Sequence, residues 1–184
     1  MLTMKQSKSL DNQQRSVEER LCWLGGIIDG EGCVTALAGH TKTGHGHIYK
    51  YRRYVPLISI VNTDKVMIEE IIDILKTVDV GHWVNYRESQ RNHPSWKPKW
   101  EIMINGMKRC AKAAEVLLPY LVSKRERLQA MKNWVNRRLM LTPKAEYTEE
   151  DYMLLNLIRA SSIPLRGHTS VATYNVDEDM VHAT

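Results

Sequence analysis

The stretch Leu24-Gly25-Gly26-Ile27-Ile28-Asp29-Gly30-Glu31-Gly32 constrains this chain more than any other. It reads as the end of an apolar helix that carries small residues and stops on two carboxylates. Acids suit the start of a helix, where the dipole is positive. Asp29 and Glu31 sit at the opposite end, so a metal ion or a basic partner should offset them. The small residues need a second reason. Cys22, Gly26 and Gly30 fall at i, i+4 and i+8, one stripe of the helix. Each helical Gly costs about 1 kcal/mol relative to Ala. A stripe of them fits a helix that another backbone approaches very closely. The plainer reading is a buried helix with a glycine C-cap at Gly30 or Gly32.

The flanking chain supplies a regular order of elements. Ser16-Val17-Glu18-Glu19 reads as a capping box that opens this helix, over about Val17 to Asp29, with Leu21, Leu24, Ile27 and Ile28 as its apolar side. Cys33 to about Thr43 and Gly46 to about Val61 read as strands joined at Gly44-His45-Gly46-His47. Pro56 points to an edge position or a bulge in the second. Asn62-Thr63-Asp64 supplies caps for a helix over about Lys65 to Thr77, apolar at Ile68, Ile71, Ile72 and Leu75. Gly81 closes that connection. His82 to Gln90 and Trp96 to Ile104 form a second strand pair. In it Val84, Tyr86, Trp100, Ile102 and Ile104 alternate with Asn85, Arg87, Lys99, Glu101 and Met103, so one face is apolar and the other polar and partly basic. Asn105 can cap a helix over about Met107 to Leu118, which Pro119 breaks. Ser123-Lys124-Arg125-Glu126 reads as another capping box, opening a helix to about Leu139, and a last helix spans Thr148 to Ala160.

Charge divides along the same chain. Residues 84–140 hold thirteen Lys/Arg against four Asp/Glu (Glu88, Glu101, Glu115, Glu126). Residues 145–184 hold Arg159 and Arg166 against seven acids. A basic body with an acidic end suits a polyanionic partner, although a single charge run is more often a solubilising surface. Cys22, Cys33 and Cys110 have no metal-type spacing and fit a reducing, intracellular setting, the cytoplasm of a prokaryote or an organelle. No run is long enough to span a membrane, and no secretory pattern opens the chain. Phosphate-loop, nucleophile-elbow and Cys/His zinc patterns are absent. His40, His45 and His47 lie in a turn without a recognised ligand frame.

The nine residues Leu24 to Gly32 resemble the signature of the LAGLIDADG homing endonucleases. Gly25 stands for the first Ala, Ile27 for the second Leu, Gly30 for the second Ala and Glu31 for the second Asp, each keeping size or charge class. The resemblance implies an α+β fold, an α-β-β-α-β-β-α core over roughly residues 17–140 with an antiparallel β saddle and helices on one face. The domain is then 16–140, after a flexible lead over 1–15 and before a helical extension over 141–165 and an acidic, irregular tail over 166–184. Single-motif chains of this family are homodimers, which places Cys22, Gly25, Gly26, Asp29 and Gly30 at the dimer interface.

The same resemblance implies chemistry. The acid at the eighth motif position, here Glu31, is the metal ligand, often helped by the preceding carbonyl, here that of Gly30. Glu in place of Asp adds one methylene. The metal is Mg²⁺, and Mn²⁺ or Ca²⁺ can occupy such a site. Asp29, at the sixth position, serves the helix end and the interface. Pro119 to Lys124 resembles the stretch ending in a catalytic-centre lysine, which can stabilise charge on a scissile phosphate; the plainer reading of Lys124 is one more cation in a basic helix. Asn62 and Lys65 fall where some members organise active-site water, although Asn62 and Asp64 also read simply as caps.

For duplex DNA, the strands would lie in the major groove, which admits a two-stranded ribbon. Thr35, Lys42, His47, Lys50, Arg52, Arg53, Arg87, Arg91, Lys97 and Lys99 are candidates, with Asn85 and Gln90 as candidate adenine readers. Part of this set touches only phosphate, which positions without specifying. The expected function is a metal-dependent endonuclease cutting a long pseudo-palindromic DNA site, encoded in an intron rather than an intein. The alternative is an RNA-binding intron maturase on the same fold, with little or no nuclease activity. A non-catalytic DNA-binding regulator is a third reading.

Overall fold

A computed structural model describes residues 15–38, 53–88, 97–142 and 145–160. Helix α1 spans Val17–Glu31, two residues beyond its expected end. Its capping box is formed: the Glu19 N–H donates to Ser16 Oγ at 3.2 Å, and the Ser16 N–H to Glu19 Oε2 at 2.8 Å. Strands β1 (Cys33–Ala38) and β2 (Tyr54–Asn62) follow, then α2 (Lys65–Thr77), β3 (Trp83–Arg87) and β4 (Lys99–Asn105). Helix α3 (Met107–Leu117) runs into a 3-10 turn over Leu118–Tyr120, and α4 (Arg125–Leu139) and α5 (Glu149–Arg159) complete the order. The expected outer ends of the strands, the lead before residue 15 and the tail from residue 161 lie outside the described residues.

The strands form one antiparallel sheet in the order β1-β2-β4-β3. Its register sorts the side chains. Val34 pairs with Ile58, Ala36 with Pro56, Ile58 with Ile104 and Ile60 with Ile102. These buried residues meet Leu24 and Ile28 of α1, Ile68, Ile71 and Leu75 of α2, Leu117 of α3, and Leu128 and Trp134 of α4 in one core. Fully burying an aliphatic side chain of this size contributes about 1.5–3 kcal/mol. Thr35, Leu37, Val55, Leu57, Val61, Lys99 and Glu101 alternate with the core positions and are less buried. Helix α5, expected as an extension, adds Leu155 and Ile158 to the same core.

Several local expectations need correction. Strand β2 is central, but Pro56 lies in its first residues, which pair with β1 only, a local edge of the kind expected, and in unbroken register rather than a bulge. The ladder to β4 begins only at the pair Leu57–Asn105, the residue after Pro56, and the Pro56 carbonyl accepts from the Gly106 N–H at 3.2 Å. The cap of α3 is Gly106, at φ 88°, rather than Asn105. The connection after α2 turns at Asp79, φ 55°, a residue type that tolerates the left-handed region, and Gly81 closes it two residues before β3. The cap of α4 is Lys124, without a side-chain cap bond. Ser123 does not cap that helix because its hydroxyl is committed to Asp29. No helix among the described residues is long and apolar enough to cross a membrane.

Candidate active site

Leu21, Leu24, Gly25 and Ile28 turn one side of α1 into the core. Cys22, Gly26 and Gly30 lie exposed on another side. The glycines divide accordingly. A Cβ on Gly26 or Gly30 would meet nothing within 4 Å. A Cβ on Gly25 would lie 2.3 Å from the Tyr120 carbonyl oxygen. Gly25, grouped with the dimer interface by sequence, therefore faces inward. It lets the 3-10 turn close onto α1 within one protomer. Gly32 is likewise needed for room: a Cβ there would lie 2.8 Å from Ile28 Cα. Its N–H reaches the Ile27 and Ile28 carbonyls at 3.2 and 3.0 Å and ends the helix.

The two acids at this end have different surroundings. Asp29 Oδ2 accepts from the N–H groups of Val122 and Ser123, at 2.6 and 3.2 Å. Its Oδ1 accepts from the Ser123 hydroxyl at 3.0 Å and the Lys124 N–H at 2.9 Å. Burial alone would raise this carboxyl's pKa. The bonds from Val122, Lys124 and Ser123 outweigh it and hold the pKa below the usual carboxylate value. The offset expected from a metal or a foreign cation thus comes, for Asp29, from the turn before α4.

Lys124 closes the loop. Its ammonium donates to the Ile28 and Asp29 carbonyls at 2.8 and 2.7 Å, groups that a helix terminus leaves short of partners. A cation here also suits the negative end of the α1 dipole. Burial lowers the Lys124 pKa, and Arg127 adds to this, while the Asp29 carboxylate opposes it.

Glu31 is exposed, and among the described residues it has one hydrogen bond, from Asn62 Nδ2 at 2.6 Å. Asn62 is itself fixed: its Oδ1 accepts from the Asp64 N–H at 2.8 Å, and its Nδ2 also lies 3.2 Å from Met67 Sδ. Asp64 in turn caps α2, its Oδ1 accepting from the Val66 N–H at 2.8 Å. The end of β2 and the start of α2 therefore aim one amide at Glu31. Lys65 is not part of this group; it pairs with Glu69 along α2 at 3.3 Å. Glu31, Asn62 and Lys124 all attach to the last turn of α1. Among the described residues no three His, Cys, Asp or Glu side chains form a metal-binding group. Among the described residues the end of α1 thus presents one lightly engaged carboxylate, Glu31, beside the Gly30 carbonyl, both oxygen donors of the kind a hard divalent cation takes.

The sheet face away from the helices carries Thr35, Asn85, Arg87 and Lys99, with Arg53 and Lys97 just outside β2 and β4. Arg87 is paired with Glu101 at 2.6 Å. Lys42, His47, Lys50, Arg52, Gln90 and Arg91 lie outside the described residues. The same face includes residues missed in the sequence reading: Leu37, Val55 and Val61, which are 51%, 38% and 39% exposed. Their alternation with Ala36, Pro56 and Ile60 was the available signal.

No protein-family model matches the sequence, and no curated protein matches it. Solved structures do. The LAGLIDADG homing endonuclease I-GzeII, in complex with a DNA target, aligns with a TM-score of 0.53 and 19% identity over 89% of this chain and 49% of that one. The homing endonuclease I-CvuI, in complex with its target in the presence of Ca, aligns with a TM-score of 0.50 and 19% identity over 66% of this chain and 68% of that one. An archaeal intron-encoded homing endonuclease complexed with DNA aligns with a TM-score of 0.50 and 14% identity over 78% and 96%. The fold is that of the LAGLIDADG homing endonucleases.

Proposed function

We propose that this protein is a site-specific homing endonuclease that cuts duplex DNA as a homodimer, by metal-dependent phosphodiester hydrolysis, and is encoded in an intron. The observation that carries this reading is the unequal treatment of the two acids. Asp29 has four donors on its two oxygens, whereas Glu31 has one neutral amide on Oε2. Glu31 is the carboxylate that remains able to take a ligand. The exposed Gly26 and Gly30 lie on the same helix, so a second copy packed there would bring a second Glu31 close by. The solved structures of the same fold include enzymes bound to DNA and one described as intron-encoded, which supports the partner and the origin.

Glu31 and the Gly30 carbonyl would hold the metal, Mg²⁺ foremost, which supplies charge neutralisation at the phosphate and a water of lowered pKa. The Asn62 amide orients the Glu31 carboxylate. An ammonium has three donors. Lys124 uses two on the α1 carbonyls, and the third can reach a phosphate oxygen where charge develops. The sheet face with Thr35, Asn85 and Lys99 would enter the major groove, the lysine serving phosphate or guanine.

The test is incubation with a library of duplexes, with and without Mg²⁺. Double-strand cleavage at one long site, dependent on Mg²⁺, is expected. Absence of specific cleavage together with tight binding of intron RNA would overturn this reading in favour of a maturase.

A further inference from the structure

The segment before α5 is tied to the last described residues of the β1–β2 pair. The last described pair of that ribbon is Ala38–Tyr54. The Tyr54 N–H donates to the Tyr147 hydroxyl at 3.2 Å. The two rings meet edge-on, centroids 5.6 Å apart at 83°, and the Arg159 guanidinium lies 5.6 Å from the Tyr54 ring. Tyr147 is in turn gripped by Arg138, whose guanidinium stacks 4.4 Å from its ring. Arg138 also donates to the Ala145 and Glu146 carbonyls at 2.6 and 3.0 Å. Asp151, fully buried, lies 3.5 Å from Arg138 and accepts from the Thr148 N–H at 2.9 Å. A partly buried, charge-assisted network built on the buried Asp151 restrains this segment. It holds a point on the sheet, and on the outer face beside that point lie the exposed Leu37 and Val55, a cross-strand pair.

We infer that residues 145–148, clamped by Arg138 and Asp151, act as a strap that positions the Ala38–Tyr54 pair of β1 and β2 and, with it, the exposed Leu37–Val55 pair on the outer face, and thereby sets selectivity at the base pairs that this end of the described sheet meets, the outer positions of the target. Tyr147 is a positioning residue, acting through Tyr54. The inference rests on the reading of the outer sheet face as the DNA-binding surface.

Tyr147→Phe keeps the ring and removes the hydroxyl; Arg138→Gln releases the grip. Binding is titrated on the cleaved duplex and on duplexes with single substitutions at outer and at central positions. Both variants should lose discrimination at outer positions by about fivefold, the scale of one hydrogen bond. Discrimination at central positions and the cleavage rate at saturating DNA should not change. A purely structural weakening lowers the active fraction for every duplex alike and leaves the ratios unmoved. Hydrogen exchange at the Tyr54 amide should accelerate in Tyr147→Phe. Unchanged exchange, or outer ratios equal to those of the wild type, overturns the strap and leaves the nuclease reading standing. A wild type that binds no duplex selectively overturns both.

Discussion

Asp29 and Lys124 are joined in opposite senses: the Lys124 N–H donates to the Asp29 carboxylate at 2.9 Å, and the Lys124 ammonium donates to the Asp29 carbonyl at 2.7 Å. Each residue therefore completes the other's helix end. Asp29 serves the N–H groups of the turn before α4, and Lys124 serves the carbonyls at the end of α1. The mutual fit fixes the Lys124 ammonium on the Ile28 and Asp29 carbonyls at the end of α1.

Glu31→Gln should reduce cleavage by more than about a hundredfold, because an amide is a poor ligand for a hard divalent cation. Affinity for the target DNA should stay close to that of the wild type. Cleavage assays and binding titrations on one duplex separate the two. Retained cutting would mean that another oxygen ligand carries the metal.

Asp29→Asn should cost about 1–2 kcal/mol at neutral pH, because the amide NH₂ cannot accept and leaves two of the four donors without their acceptor. The native carboxyl has a lowered pKa. Its contribution is therefore present above the ordinary carboxylate value and lost as pH falls through the lower native value. Denaturant unfolding at a series of pH values should show wild type and variant converging in acid. A difference that stays constant with pH would contradict the assignment.

Gly25→Ala and Gly26→Ala should behave as opposites. The first drives a methyl into the Tyr120 carbonyl and should unfold or strongly destabilise the protomer. The second meets open space within the protomer and gains helix propensity of up to about 1 kcal/mol. Its penalty should appear as weaker self-association in sedimentation and lower cleavage at low protein concentration. A Gly26→Ala dimer as tight as the wild type would remove the argument for close packing at this stripe.

Thiol labelling should distinguish the three cysteines. Cys110 is buried, bonded to the Ile104 carbonyl at 3.3 Å, and burial pushes its pKa up to about 12, so it should react only on unfolding. Cys33 is exposed and should label in the native protein. Cys22, on the stripe with Gly26 and Gly30, should label at low protein concentration and become protected as copies associate. Labelling of Cys22 that is independent of concentration would place the interface elsewhere.

Much of the fold was legible in local pattern. The capping box at Ser16 and Glu19, the period of Ile68, Ile71 and Leu75, and the alternation in β3 and β4 each depend on residues a few positions apart. Where local chemistry had two uses, residue type did not choose between them. Ser123 and Glu126 carry a capping-box pattern, yet Ser123 bonds to Asp29, 94 residues earlier in the chain. Asn105 could cap α3, but it extends β4 beside Leu57, and the cap moves to Gly106. Gly25 looked equivalent to Gly26 because residue type does not reveal which side of a helix meets the chain's own backbone.

The sequence by itself determined the order of helices and strands and the concentration of small residues and acids at the end of α1, because these follow from side-chain periodicity and from backbone chemistry over one or two turns. Only the tertiary structure supplied the contacts that make the two acids differ. Asp29 meets Val122, Ser123 and Lys124 only when the 3-10 turn closes on Gly25, and Glu31 meets Asn62 only when β2 delivers it to the start of α2. Those contacts join segments far apart in sequence, and packing rather than local propensity sets their geometry.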